Sequence, residues 1–239
     1  DRNGTGAFEY QHTTSAAVEK WQTYQAGYGP GILVLKRVGE AENPCATSEP
    51  LYHRTFSYLV FLQPDGSELS LYDTLSGGQP KVFSCDPADL PQMWNRGTEF
   101  SSRDGSAATF IATASIFDQP DPNQYPAASE SISVSGALYL SDGTKYTITN
   151  GLVQSIRDRN GNLITFQYQP GTTLVSQIQD AAGRIVTVAY NTRVTATETD
   201  DTITFPGAQG QSRTIVVTKM FPRDRLRPDL TQPSSLFPE

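Results

Sequence analysis

Two histidines, His12 and His53, are the residues that could act as the base of a serine-type hydrolase in this 239-residue chain. The chain has no Gly-x-Ser-x-Gly motif, the sharp turn that exposes the nucleophilic serine of an α/β-hydrolase. His53 stands directly before a predicted strand, and His12 is flanked by polar residues. We therefore expect both histidines to be packing or surface residues, and we expect no nucleophilic catalysis.

Carboxylate pairs offer a second kind of chemistry, because a glycosidase needs two carboxyl groups about 5–9 Å apart in a cleft. The three candidate pairs are Glu40 with Glu42, Asp118 with Asp121, and Asp200 with Asp201. Each pair lies in a turn-like sequence, where Asp is favoured because its side chain hydrogen-bonds the local backbone. A glycoside hydrolase is therefore kept as an alternative function, and turn formation is the expected role.

Oxygen ligands for Ca²⁺ could come from Asp118, Asp121 and Asn123. Their spacing does not fit an EF-hand loop. With two His and two Cys and no Cys-x-x-Cys motif, a structural zinc site is not expected either. The sequence therefore predicts no metal and no cofactor.

Aromatic residues could form a platform on which sugar rings stack, provided that they are exposed. The candidates are Trp21, Tyr24, Tyr28 and Trp94. Burial in the core is the other interpretation of the same residues. A carbohydrate- or protein-binding module therefore remains an alternative, and it predicts an exposed aromatic cluster with convergent polar groups.

Charge and hydropathy exclude two classes of partner. The net charge is -7, which disfavours nucleic acid because binding phosphates requires a positive surface. The chain also lacks the run of about 20 apolar residues that spans a bilayer, so membrane insertion is not expected.

Cys45 and Cys85 would form one disulfide in a secreted protein, which favours the secreted space or the cell surface.

The elements that would position these residues are strands separated by one recurring turn. An apolar residue stands five positions before each of six glycines, a Ser or Thr four positions after it, and an apolar residue five positions after it. These glycines are Gly66, Gly105, Gly143, Gly161, Gly183 and Gly210. Asp-Gly and Asn-Gly occur at four of these turns, and both dipeptides supply the positive φ of a tight hairpin. Each glycine is therefore expected to close an antiparallel β-hairpin.

Alternation along the strands places apolar side chains on one face of each hairpin. Ile164, Phe166 and Tyr168 share one face after Gly161. Val186, Val188 and Tyr190 do the same after Gly183. One hairpin alone is marginal in water, so several must lie edge to edge and bury a continuous apolar face.

Two of these units are close copies, because residues 152–168 align with residues 174–190 at an offset of 22. Residues 151–168 read G-L-V-Q-S-I-R-D-R-N-G-N-L-I-T-F-Q-Y, and residues 174–190 read L-V-S-Q-I-Q-D-A-A-G-R-I-V-T-V-A-Y. Together with the preceding A-L-Y-L-S-D-G-T-K-Y-T-I, this region resembles the YD repeats of Rhs proteins over residues 134–191. The resemblance implies a spiral or curled sheet that forms part of a shell, which encloses a toxin or presents a rigid surface for adhesion.

The chain departs from that family at two points. The Tyr-Asp pair is replaced by Tyr168-Gln169 and Tyr190-Asn191. The family's self-cleavage motif, Asp-Pro-x-Gly-Leu after a Pro-rich segment, does not occur in this sequence, and we expect no toxin domain within it. The turn chemistry and spacing are retained, so the departures leave the structural expectation in place.

The sequence as a whole therefore predicts an all-β array of antiparallel YD-type hairpins. We expect an irregular lead-in over residues 1–56, the repeat domain over 57–219, and a Pro-rich extended tail over 220–239. The expected function is non-catalytic: a bacterial shell, adhesion or assembly subunit whose partners are other protein chains, including copies of itself.

Overall fold

The computed structural model describes residues 28–43, 51–79, 94–118 and 134–220. These residues form fifteen strands and one short 3-10 turn, Ala208–Gly210. The strands are β1 Ile32–Asn43, β2 Leu51–Leu62, β3 Glu68–Asp73, β4 Trp94–Asn95, β5 Glu99–Ser101, β6 Thr109–Ala112, β7 Phe117–Asp118, β8 Gly136–Tyr139, β9 Lys145–Thr149, β10 Leu152–Arg157, β11 Leu163–Tyr168, β12 Val175–Gln179, β13 Ile185–Val194, β14 Glu198–Pro206 and β15 Ser212–Met220.

The chain divides into two compact units, Asp1–Val175 and Ser176–Glu239. In the first unit, eight strands lie in the order β1-β2-β3-β5-β6-β8-β9-β10, each antiparallel to the next. The pairing of Ile32 with Leu152 joins β1 to β10, and the N–H of Leu33 donates to the carbonyl of Gly151 at 2.8 Å. The sheet is therefore a closed barrel.

The described part of the first unit contains two further short ladders. Beyond Leu152, strand β10 pairs with β11, with Ser155 opposite Thr165. Separately, β4 pairs with β7, with Trp94 opposite Asp118 and Asn95 opposite Phe117.

Aromatic side chains fill the centre of the barrel. Phe56, Phe61, Phe100 and Phe110 are each at most 1% exposed. The ring of Phe100 lies 5.9 Å from that of Phe56 and 6.4 Å from that of Phe110. Phe61 makes an edge contact with Tyr146 at 5.2 Å, between the non-adjacent strands β2 and β9. These contacts link strands through the interior as well as through the hydrogen-bond ladder.

Strands β6 and β8 approach closely at Gly136, which is opposite Ala112. A Cβ atom on Gly136 would lie 2.7 Å from Cζ of Phe110 and 2.8 Å from Cα of Ala112, and it would overlap the carbonyl oxygen of Ile111. Since carbon atoms pack at about 3.5–4.0 Å, this position has space only for glycine.

The second unit contains a meander in which β13 pairs with β12 and β14, and β14 pairs with β15. The register of β13 against β14 shifts between Ala189 and Arg193. Asn191, inside this irregularity, has a φ of +53°. Val188 is buried while its neighbours Thr187 and Ala189 are exposed, as a two-residue period requires.

The all-β, antiparallel prediction is confirmed for the part of the chain that the structure describes. All six turn glycines have positive φ, and each lies between two strands that pair with each other.

The expectation of an irregular lead-in over residues 1–56 is wrong for residues 32–43 and 51–56, which belong to β1 and β2. Ile32 to Leu35 is a continuous apolar run, so it lacks the alternation that identified the other strands. Three of its four side chains are buried, on both faces of the strand. At the other end, Met220 closes β15, and residues 221–239 of the expected tail lie outside the described residues.

Candidate functional site

The turn at Gly161 is organised by the carboxylate of Asp158. Its Oδ1 accepts the backbone N–H groups of Asn160 at 2.8 Å and Asn162 at 2.9 Å. Its Oδ2 accepts the side-chain amide of Asn162 at 2.6 Å. Gly161, with a φ of +92°, donates its N–H to the carbonyl of Asp158 at 3.1 Å. The carboxylate therefore satisfies backbone donors that a tight turn would otherwise leave to water.

The turn at Gly183 repeats this arrangement around Asp180. Oδ1 of Asp180 accepts the N–H groups of Ala182 and Arg184, both at 2.9 Å. Oδ2 accepts Nε of Arg184 at 2.6 Å, where the first copy uses an asparagine amide. Gly183 donates to the carbonyl of Asp180 at 3.0 Å. A different side chain thus completes the same network.

The two hairpins also share their strand register. Ser155 is opposite Thr165 in the first hairpin, and Gln177 is opposite Thr187 in the second. Adding the 22-residue offset to the first pair yields the second pair. The sequence repeat is therefore a repeat of hairpin geometry.

Three further turns use a simpler form of the same cap. In each, Oδ1 of an aspartate accepts the backbone N–H two residues later, at 2.8–2.9 Å. The donor and acceptor residues are Ser67 and Asp65, Ser106 and Asp104, and Thr144 and Asp142. The turn before Gly210 differs, because the 3-10 turn Ala208–Gly210 takes the place of an aspartate cap.

These hydrogen bonds lower the pKa of the turn aspartates, because they stabilise the ionised carboxylate. The side-chain bond from Asn162 is the largest cause for Asp158, and the backbone bond from Arg184 is the largest for Asp180. A carboxyl group whose pKa is lower in the folded protein than in the unfolded chain stabilises the fold at pH values above 3.8, its usual pKa. That stabilisation is lost as pH falls through 3.8 to the lowered value.

We expect the Asp158 and Asp180 carboxyl carbons to titrate below pH 3.8 in ¹³C NMR spectra of the folded protein. We also expect the double variant Asp158→Asn/Asp180→Asn to lose less stability than the parent between pH 5 and pH 2, because the amide retains an acceptor oxygen but does not titrate. Denaturant unfolding at each pH measures this difference. Parallel stability curves for the two proteins would contradict the assignment.

A buried ion pair, Asp73 with Arg96, lies at the end of β3. Both side chains are 0% exposed, and Nη1 of Arg96 is 3.7 Å from Oδ2 of Asp73. Nη1 also donates to Oγ of Ser76 at 2.6 Å and to the carbonyl of Gln79 at 2.7 Å. The guanidinium lies over the ring of Phe56, 5.8 Å from its centre. Arg96 thus joins the segment after β3 to the aromatic core.

Asp73 organises the chain that follows β3. Its Oδ1 accepts the N–H of Ser76, and its Oδ2 accepts the hydroxyl of Ser76 at 2.8 Å and the N–H of Gly78 at 2.9 Å. Burial raises the pKa of this carboxyl, but the bonds from Ser76 and Gly78 and the charge of Arg96 outweigh it and hold the pKa below its usual value. The carboxylate is therefore ionised and enclosed by donors from its own turn.

The predicted carboxylate pair Asp200 and Asp201 is buried, but its two side chains do not converge. Asp200 contacts Arg193, whose Nη2 lies 3.2 Å from Oδ1, and it accepts the hydroxyl of Thr218 at 2.7 Å. Asp201 accepts the N–H of Asn191 at 3.0 Å and pairs with Nζ of Lys219 at 2.9 Å. Consecutive residues of a strand face opposite sides of the sheet. The pair therefore cannot supply the acid and base of one cleft, and each member instead links neighbouring strands.

Of the other candidate site residues predicted from the sequence, some lie within the described ranges and some lie outside them. Glu40 and Glu42 lie on β1, His53 lies on β2 and Asp118 ends β7, as described by the backbone. Tyr28 and Trp94 are half-buried, which fits neither full exposure nor full burial. The residues outside the described ranges are His12, Trp21, Tyr24, Cys45, Cys85, Asp121 and Asn123.

The tyrosines that end the two repeats are both half-buried. The hydroxyl of Tyr168 donates to the carbonyl of Val153 at 2.6 Å. This bond fastens the end of β11 to the start of β10. The sequence signal for this hydrogen bond is the tyrosine that recurs at the last position of each repeat.

Within the described ranges, no group of three or more His, Cys, Asp or Glu side chains could hold a metal ion. The same residues contain no helix that is long and apolar enough to cross a membrane.

In the part of the chain that the structure describes, the fold and these contacts define an all-β architecture with a closed eight-stranded barrel and hairpin turns capped by aspartate. Comparisons with protein-family models, with curated proteins and with solved structures found no match to this chain.

Proposed function

We propose that this chain is a non-catalytic structural protein of the bacterial cell surface or secreted space, a shell, adhesion or assembly subunit that resembles Rhs/YD-repeat proteins. The observation that carries the proposal is the repeated turn: Asp158 and Asp180 cap two hairpins through the same backbone hydrogen bonds and in the same strand register. In repeat proteins, units that share their turn chemistry and register serve as scaffold, and their polar groups hold the chain in its turns.

The buried carboxylates support the same interpretation. Asp73, Asp200 and Asp201 each accept hydrogen bonds from backbone or side-chain donors nearby in the same unit. An acid or base for catalysis must reach a substrate in a cleft, and its pKa is usually shifted toward neutrality. The pKa of Asp73 and that of Asp200 are instead lowered, the latter chiefly by the hydrogen bond from Arg193. Such carboxylates stabilise strands and turns.

Assembly is the property that tests this function. Light scattering on the purified chain, with electron microscopy of the same sample, measures the mass and form of the particles. Rings, closed shells or filaments would support an assembling subunit. A monodisperse monomer at all accessible concentrations would contradict self-assembly and restrict the proposal to a shell segment or an adhesion surface.

A disulfide between Cys45 and Cys85 belongs to the same proposal, because disulfides persist in oxidising compartments. We expect no free thiol when the non-reduced protein is denatured and treated with a thiol reagent. Reduction is expected to lower the free energy of unfolding by about 2–4 kcal/mol, because the bond closes a loop of roughly 40 residues in the unfolded chain. The Cys45→Ser/Cys85→Ser variant is the control and should be insensitive to reductant. Two reactive thiols in the non-reduced protein would contradict the secreted assignment.

A binding module for carbohydrate is the second candidate, and the half-buried Trp94 is the residue that tests it. A glycan-array signal that is lost in Trp94→Ala, with an unchanged unfolding transition, would favour this function. An array with no signal for the parent protein would contradict it.

A further inference from the structure

Two Asn-Gly sequences lie in turns of the described chain, Asn150-Gly151 and Asn160-Gly161. This dipeptide is chemically labile, because glycine has no side chain to shield its backbone nitrogen from the side-chain carbonyl carbon of the preceding asparagine. Attack of that nitrogen closes a succinimide ring and releases ammonia. In a folded protein, the reaction requires the glycine nitrogen to leave its hydrogen bond and turn toward the asparagine side chain. The two turns differ in how firmly they hold this nitrogen.

The turn at Gly151 lies at the seam of the barrel, where β1 meets β10. Gly151 is buried, its N–H donates to the carbonyl of Val134 at 2.8 Å, and its carbonyl accepts the N–H of Leu33 at 2.8 Å. A Cβ atom at Gly151 would lie 2.7 Å from the carbonyl oxygen of Leu33, so the neighbouring backbone leaves little room for movement. Asn150 also donates its own N–H to Oγ of Ser135 at 3.0 Å. Freeing the nitrogen of Gly151 therefore requires the seam to open.

The turn at Gly161 is held by bonds within the turn itself. Asn160 and Gly161 are both exposed, and the N–H of Gly161 donates to the carbonyl of Asp158 at 3.1 Å. Among the described residues beyond its two chain neighbours, the atom nearest to an added Cβ at Gly161 would be Nη2 of Arg157, at 3.9 Å. The backbone at this turn therefore has room to move. Freeing the nitrogen of Gly161 breaks one bond in a surface turn and leaves the strand ladder in place.

The second hairpin indicates that the cap does not depend on an asparagine side chain at this position. Ala182 stands where the first hairpin has Asn160. The N–H of Ala182 donates to Oδ1 of Asp180 at 2.9 Å, just as the N–H of Asn160 donates to Oδ1 of Asp158 at 2.8 Å. Both caps therefore use the backbone of this residue, and the side-chain amide of Asn160 can react before the cap is lost.

We propose that Asn160 is a site of spontaneous deamidation and isoaspartate formation in the folded protein, and that the fold protects Asn150. The nitrogen of Gly161 forms a bond to Cγ of Asn160, the Cγ–Nδ2 bond breaks, and Nδ2 leaves as ammonia with the proton from Gly161. Water then opens the succinimide at one of its two carbonyl carbons. Opening at Cγ gives aspartate. Opening at the main-chain carbonyl carbon gives isoaspartate, whose backbone runs through Cγ and is one methylene longer.

Isoaspartate at position 160 would disturb the first cap and leave the second unchanged. The added methylene lies between the N–H groups of residues 160 and 162, which both donate to Oδ1 of Asp158. The released carboxylate also places a second negative charge near Asp158, which repels it. We therefore expect faster hydrogen exchange at Asn162 in the isoaspartate form. Exchange at Arg184, the counterpart of Asn162 in the second hairpin, should stay the same.

The experiment incubates the folded protein in mildly alkaline buffer, where the glycine nitrogen loses its proton more readily. Each Asn-Gly peptide is then quantified by mass spectrometry after digestion at mildly acidic pH, and enzymatic methylation distinguishes isoaspartate from aspartate. We expect position 160 to react at least about tenfold faster than position 150, because a surface turn opens at a lower free energy than the barrel seam. In urea, both positions should react at similar rates, since the fold no longer distinguishes them.

Two variants serve as controls. Asn160→Ala copies the second hairpin, so it should unfold at the same denaturant concentration as the parent and show no reaction at position 160. Asn160→Asp carries the added charge on a backbone of normal length, so it should change hydrogen exchange at Asn162 less than isoaspartate does. Equal rates at positions 150 and 160 in the folded protein would overturn the proposal. So would a folded protein that stays unmodified at position 160 while the same position reacts in urea.

Discussion

Replacing Arg96 with methionine is expected to lower the free energy of unfolding by about 3–5 kcal/mol, because it leaves the carboxylate of Asp73 buried without its guanidinium partner. Both side chains are 0% exposed, so water cannot replace the lost charge. The change also removes the donors to Ser76 and to the carbonyl of Gln79. Equilibrium denaturation in urea measures the loss.

The exposed Arg103 provides the matched control, because its guanidinium also lies over an aromatic ring, 4.6 Å from the centre of Tyr72. Arg103→Met should cost about 1 kcal/mol or less. The double variant Asp73→Asn/Arg96→Met should be more stable than the sum of its single variants predicts, because the two residues share one network. Equal losses for Arg96→Met and Arg103→Met would show that the ion pair has no special role.

Local chemistry explains why the hairpins could be predicted. The residues that close each turn, such as Asp158 and Gly161, lie within four positions of each other, so their spacing is visible in the sequence. Alternation then identified the face on which Phe166 and Val188 are buried, but Ile164, which was predicted to share the face of Phe166, is 37% exposed. Short-range turn rules and a two-residue period were sufficient for this part of the fold.

Barrel closure could not be predicted, because it depends on contacts between distant segments. Ile32 pairs with Leu152, and neither residue carries a turn signal. The apolar run of β1 has no alternation, since it is buried on both faces. Non-local strand pairing of this kind is specified by packing, which a single sequence does not display.

The buried ion pair was missed for a related reason. Arg96 is fully buried, which is rare for an arginine, and its contacts Ser76 and Gln79 lie 17 or more positions earlier. The available signal was Asp73 followed by Ser76 and two glycines, a pattern typical of a turn held by an aspartate side chain. The expectation that Asp200 and Asp201 form a turn is wrong, because both lie on strand β14. Their side chains face opposite sides of that strand, which also excludes a shared cleft.

Replacing Phe110 with alanine is expected to lower the free energy of unfolding by about 3–5 kcal/mol, because it leaves a cavity in a core with little room to collapse. Phe110 is 0% exposed, and its ring packs beside that of Phe100. Its Cζ occupies the space that a side chain at Gly136 would need. Phe117, which is 44% exposed, is the matched control, and Phe117→Ala should cost less than about 1 kcal/mol. Since unfolding of a barrel exposes all its strands together, Phe110→Ala should lower the denaturant midpoint and leave the slope of the transition unchanged. A small loss of stability at Phe110 would mean that the aromatic interior does not hold the barrel closed.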